Sequence, residues 1–74
     1  MIANINYFEE LMRKNNYNYT SLSKEIDLKP STLSSKIKGD NDLKFSEAIN
    51  IANALNMDKQ QILECFFYLN LHEV

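Results

Sequence analysis

Residues 20–39, TSLSKEIDLKPSTLSSKIKG, decide how this chain folds. Leu22, Ile26, Leu28, Leu33 and Ile37 recur about every four residues, the spacing of a buried helical stripe. Pro30 suits the first position of a helix, where a missing N–H costs nothing, and Gly39 suits the position just past a helix end. The stretch therefore reads as two short helices joined by a turn at Asp27, Leu28 and Lys29. From Lys29 to Lys38 it carries three lysines, four hydroxyls and no acidic residue. A helix presenting small donors beside ammonium groups suits a DNA groove, where hydroxyls reach base edges and lysines meet phosphates.

Outward from this stretch, the pattern stays helical. A first helix is predicted over about Asn4 to Lys14, with Ile5, Phe8, Leu11 and Met12 on one face. Asn15, Asn16 and Asn18 end it, because asparagine competes for backbone hydrogen bonds. Thr20 is the expected N-cap of the second helix, which runs to about Ile26. Gly39-Asp40-Asn41-Asp42 reads as a turn or loop. A fourth helix is expected over Ser46 to Asn56, capped by Ser46 and packed through Ala48, Ile49, Ala52 and Leu55. Asp58 followed by Gln61 resembles a capping box and opens a fifth helix through Ile62, Leu63 and Phe66. The expected fold is all-α, with five helices in one domain over 1–74.

The chain has 74 residues, 45% of them hydrophobic, with one Gly, one Pro and one Cys. That size gives a small core that self-association would help. No apolar run approaches the roughly 20 residues of a membrane span. The start, MIANINYFEE, shows no secretory pattern, and a single cysteine cannot form an internal disulfide, so a cytoplasmic location is expected. Net charge is −2, which taken alone argues against a nucleic-acid partner. The distribution argues the other way: residues 13–44 carry a balance of +3 and the remainder −5. Clustering of this kind marks one binding face, although a solvated charged surface would show it too.

The spacing from Leu22 to Gly39 resembles the helix-turn-helix of phage Cro and repressor-type regulators (XRE-like). The matching positions are Leu22, Ile26, Leu28, Ser31-Thr32-Leu33-Ser34 and Gly39. Downstream, Phe45-Ser46-Glu47-Ala48-Ile49, Ile51-Ala52, Leu55-Asn56-Met57 and Ile62-Leu63 resemble that family's last two helices. The likeness covers about residues 4–67 and implies a lambda-repressor-like DNA-binding domain, with the helix-turn-helix at about residues 20–38. Two positions depart from it. Asp27 stands where the family usually has a turn glycine, and aspartate tolerates the left-handed backbone better than most residues. Lys29-Pro30 replaces the usual Ser or Thr cap, and proline cannot supply the base contact of the family's glutamine-type position.

In the docking mode that the resemblance implies, the start of the third helix enters the major groove and the second crosses the backbone. Lys29, Pro30, Ser31, Thr32 and Ser35 are then the base-facing candidates. Tyr19, Thr20, Ser21, Lys36, Lys38 and Lys44 are the phosphate candidates, with Asp40 and Asp42 weakening Lys44. Arg13 and Lys14 are accounted for as cations at a helix C-terminus. His72 and Cys65 do not complete a metal ligand set, and Cys65 reads as a buried small hydrophobe. No catalytic spacing, cofactor motif or small-molecule site stands out.

The segment 66–74 is apolar: it either completes the core by wrapping back over the first and fourth helices or, through Phe66, Phe67, Tyr68, Leu69 and Leu71, forms a candidate dimer seam. Taken together, the expectation is a transcriptional regulator of phage or mobile-element type that binds double-stranded operator DNA, an inverted repeat, as a homodimer. It would repress by occlusion. The alternative is a protein-interaction module such as an antirepressor or antitoxin, which the acidic total and the uncapped start at Lys29 favour.

Overall fold

The computed structural model describes residue 1 and residues 3–67. Among these residues there are five helices and no strand: α1 (Ile5–Lys14), α2 (Tyr19–Glu25), α3 (Pro30–Ile37), α4 (Phe45–Ala54) and α5 (Lys59–Phe66). The all-α architecture and the helix-turn-helix stand as the sequence indicated. Two N-caps differ, each because another side chain reached the orphan N–H groups first, and α4 ends at Ala54, two residues before the expected Asn56.

The first difference is at α2. Asn18, not Thr20, is the N-cap: its Oδ1 accepts the Ser21 N–H at 2.8 Å, and Ser21 Oγ accepts the Asn18 N–H at 2.9 Å. This reciprocal pair satisfies two donors at once and leaves Thr20 in the first turn. The second is at α4, where Lys44 rather than Ser46 occupies the cap position. The Glu47 carboxylate reaches back to accept the Lys44 N–H at 2.8 Å, so the helix begins at Phe45 without a hydroxyl cap. The expected box at α5 is present, with Asp58 and Gln61 exchanging two 2.8 Å bonds. α1 starts on Asn4, whose Oδ1 accepts the Tyr7 N–H.

One core holds the five helices together. Phe8, Leu22, Leu33, Ile37, Leu43, Ile51 and Cys65 are fully buried, with Leu11, Met12, Ala48, Ala52, Leu55 and Phe66 nearly so. Fully burying a side chain of this size contributes roughly 1.5–3 kcal/mol. α2 packs chiefly on α3, with further contact to α4, while α1 packs on α5. Ser23 is the buried polar residue among those described, and its Oγ donates to the Thr20 carbonyl at 2.7 Å. A small side chain there removes bulk from the inner face of α2. The Asn4 N–H donates to the Cys65 carbonyl at 2.7 Å, joining the start of α1 to α5.

α4 is rotated relative to its sequence reading. Its inner face is Ala48, Ile51, Ala52 and Leu55, whereas Ile49 is 38% exposed. Phe45, one turn earlier on the same side as Ile49, is 61% exposed. The sequence offers two isoleucines two residues apart, and only the packing partners of α4 choose between them.

Candidate nucleic-acid interface

Asp27 makes the turn between α2 and α3 possible. Its φ of 58° lies in the left-handed region, where aspartate is among the better-tolerated side chains. Leu28 follows, half-buried, and Lys29 and Pro30 open α3 in the open. Lys29 provides no side-chain cap, so α3 begins on the fixed backbone of Pro30 alone. Leu33 and Ile37 then bury completely and set which side of α3 faces outward.

Around that anchor, the candidates separate by what their side chains already bond. Lys29, Pro30 and Ser31 are exposed, and Thr32 is half-buried. Lys29, Lys38 and Lys44 make no ion pair among the described residues, so their ammonium groups stay available. Thr20 is exposed at the start of α2. These seven residues form the outward chemistry of the helix-turn-helix and the loop that follows it.

The remaining candidates are engaged within the domain. Tyr19 donates its hydroxyl to Glu9 at 2.8 Å, and its ring lies 5.9 Å from that of Phe8. Burial first, and then the bond to Glu9, hold that phenol well above its ordinary pKa and keep it a donor. Ser21 uses both its N–H and its hydroxyl in the α2 cap. Ser35 Oγ accepts the Asn41 side-chain amide at 2.7 Å and donates to the Thr32 carbonyl at 3.2 Å. Lys36 points its ammonium at Glu47 Oε1, 3.0 Å away, and at the Asp42 carbonyl, 3.2 Å away.

Two neighbours of these candidates carry no mark in the sequence. Glu47 receives both Lys36 and the Lys44 N–H, and Asn41 fastens the loop after α3 to Ser35. Neither carries a local signal, because a Lys-x-x-Glu spacing is not a recognised cap and a loop asparagine is ordinary. Burial alone would raise the Glu47 pKa. The Lys44 N–H and the Lys36 ammonium outweigh it, so the carboxylate is held below its ordinary value.

Other chemistry finds little support. Burial pushes the Cys65 thiol up to about 12, far from a reactive thiolate. Among the described residues, no group of three or more His, Cys, Asp or Glu residues is placed to hold a metal ion, and His72 lies outside them. No helix among the described residues is long and apolar enough to cross a membrane. An open groove between the end of α2 and α4 is lined by Tyr17, Glu25, Asp27, Asn50 and Asn53, and its two carboxylates, Glu25 and Asp27, disfavour a phosphate there. Within the expected dimer seam, Phe66 is buried in the core and Phe67 is 43% exposed. Tyr68, Leu69 and Leu71 lie outside the described residues.

No curated protein and no solved structure gives a significant match to this chain. The family model of the Cro/C1-type HTH DNA-binding domain matches residues 8–67, from the buried face of α1 to the end of α5. That span takes in the whole helix-turn-helix and the helices that support it, so the chain belongs to the Cro/C1-type helix-turn-helix DNA-binding family.

Proposed function

We propose that this domain binds operator DNA sequence-specifically and regulates transcription by occlusion, as a homodimer on an inverted repeat. The observation that carries the reading is the division of α3. Leu33 and Ile37 are wholly buried, while Lys29, Ser31 and Lys38 are exposed and both lysines make no ion pair among the described residues. Ser31 and Thr32 would read base edges, Pro30 would meet a thymine methyl, and Lys29, Lys38 and Lys44 would supply phosphate contacts. Thr20 would meet the backbone from the start of α2. Two copies would place their α3 helices about one helical turn, roughly 34 Å, apart.

Occupancy of the operator would follow protein concentration and operator affinity. The regulator would be a phage or mobile-element repressor acting in the cytoplasm. The test is fluorescence anisotropy on duplexes from the gene's own promoter across a salt series. Specific binding whose salt slope falls in Lys38→Ala supports the reading. Binding no stronger than to random duplex at low salt sinks it.

The protein-interaction reading draws on one observation, the exposure of Phe45 and Ile49 on one side of α4. An apolar pair of this kind suits a protein surface better than a phosphate. Loss of partner binding in Phe45→Ser, with DNA affinity unchanged or absent, would favour it.

A further inference from the structure

The loop between α3 and α4 carries the free Lys38 and Lys44 at its two ends, and it is closed from both sides by residues of α3. On one side the Ser35 carbonyl accepts the N–H groups of Asp40 and Asn41 at 2.9 and 3.3 Å. Ser35 Oγ accepts the Asn41 side chain as well. On the other side the Lys36 ammonium holds the Asp42 carbonyl and the Glu47 carboxylate. Glu47 in turn holds the Lys44 N–H, so a single carboxylate joins α3, the end of the loop and the start of α4. The two side chains are only 13% and 17% exposed. A lysine this enclosed does not leave its partner without stranding a charge on each side.

From this geometry we infer that Lys36 and Glu47 form a positioning pair for DNA recognition: Lys36 makes no phosphate contact, and the pair holds α3, Lys38 and Lys44 in the arrangement that DNA requires. The inference rests on the DNA-binding reading and refines it. α3 needs such a device because it has no side-chain cap at Lys29, and its apolar anchors at Leu33 and Ile37 constrain depth better than direction. Glu47 is therefore an acid whose presence near the interface strengthens binding.

Salt-dependent anisotropy on operator duplex separates this role from direct contact. A phosphate contact contributes about 0.9 to the slope of log affinity against log salt concentration. Lys38→Ala and Lys44→Ala should each lose about that much slope. Lys36→Met should weaken binding roughly tenfold with the slope unchanged, in the middle of the range for coupled pairs. Simple charge arithmetic says that Glu47→Gln, which removes a negative charge, should tighten binding. The positioning role says that it weakens binding by a similar factor. The Lys36→Met/Glu47→Gln double variant should then be no worse than either single variant.

Lys36→Arg keeps the charge pair and should restore both affinity and slope. Glu47→Gln keeps an acceptor for the Lys44 N–H, so it carries the test where Lys36→Met lowers the folded fraction seen by circular dichroism. A slope loss of about 0.9 in Lys36→Met, or unchanged or tighter binding in Glu47→Gln, overturns the inference while leaving DNA binding intact. Failure of the wild-type protein to prefer operator over random duplex removes the DNA reading itself, and the inference with it.

Discussion

The backbone N–H of Leu28 donates to the carbonyl of Ser23 at 2.8 Å, closing the end of α2 across a left-handed Asp27. The same closure ends three more helices. Tyr17 N–H meets the Met12 carbonyl across Asn16, Asp40 meets Ser35 across Gly39, and Met57 meets Ala52 across Asn56. The φ values at these positions are 62°, 89° and 51°. A left-handed residue at this point turns the chain and lets the following N–H satisfy an orphan helix carbonyl. The chain thus stops four helices with one backbone device, using glycine only at the position that leads into the α3–α4 loop.

Glycine should be the better residue at the three non-glycine stops. Asp27→Gly and Asn56→Gly are expected to stabilise the domain by about 0.5–1 kcal/mol each, read from urea unfolding. Gly39→Ala should destabilise by about 1 kcal/mol through backbone strain alone. A Cβ at Gly39 would meet nothing within 4 Å, so no clash contributes. Equal stability of Gly39→Ala and wild type would contradict the left-handed assignment.

The rotation of α4 separates two isoleucines of the same helix. Ile51→Ala should cost about 2–5 kcal/mol, as for a large residue removed from a packed core. Ile49→Ala and Phe45→Ser should change stability by no more than about 0.5 kcal/mol. Thermal melts of the three variants check the order. A large loss in Ile49→Ala would place that side chain inside.

Glu47 should leave a mark on acid stability. Its folded pKa lies below the ordinary 4.5 because the Lys44 N–H and the Lys36 ammonium outweigh the cost of burial. A carboxylate depressed on folding stabilises the native state above its unfolded pKa. That stability is lost as pH falls through the lower folded value. Unfolding free energies measured downward from about pH 5 should fall less steeply in Glu47→Gln than in wild type. Parallel curves would show that Glu47 is not held as described.

Cys65 offers a probe of opening. Its thiol is buried and pushed up to about 12, so a disulfide reagent at pH 8 should label the native domain only through unfolding. The labelling rate should rise with urea in step with the unfolded fraction. Immediate labelling in buffer would place Cys65 at the surface.

Much of the framework of the candidate site was legible from residue types. Pro30 and Gly39 bracket α3 where the sequence placed it, and Asp58 and Gln61 open α5 as read. The free lysines Lys29, Lys38 and Lys44 and the hydroxyl of Ser31 were also among the candidates. What sequence could not separate was an available polar group from an engaged one. Tyr19, Ser35 and Lys36 look as free as their neighbours until Glu9, Asn41 and Glu47 are brought beside them. Those partners sit 10, 6 and 11 residues away, beyond the reach of any helical period.

The sequence by itself therefore determined the five helices, the helix-turn-helix and the basic character of α3. All three follow from local preferences: apolar spacing, proline and glycine at helix ends, and the charge of consecutive side chains. Only the tertiary structure decided which face of α4 is inside, which caps win, and which ammonium groups remain for a partner. Those outcomes depend on groups from different helices competing for the same carboxylate, carbonyl or core position, and folding alone brings the competitors together.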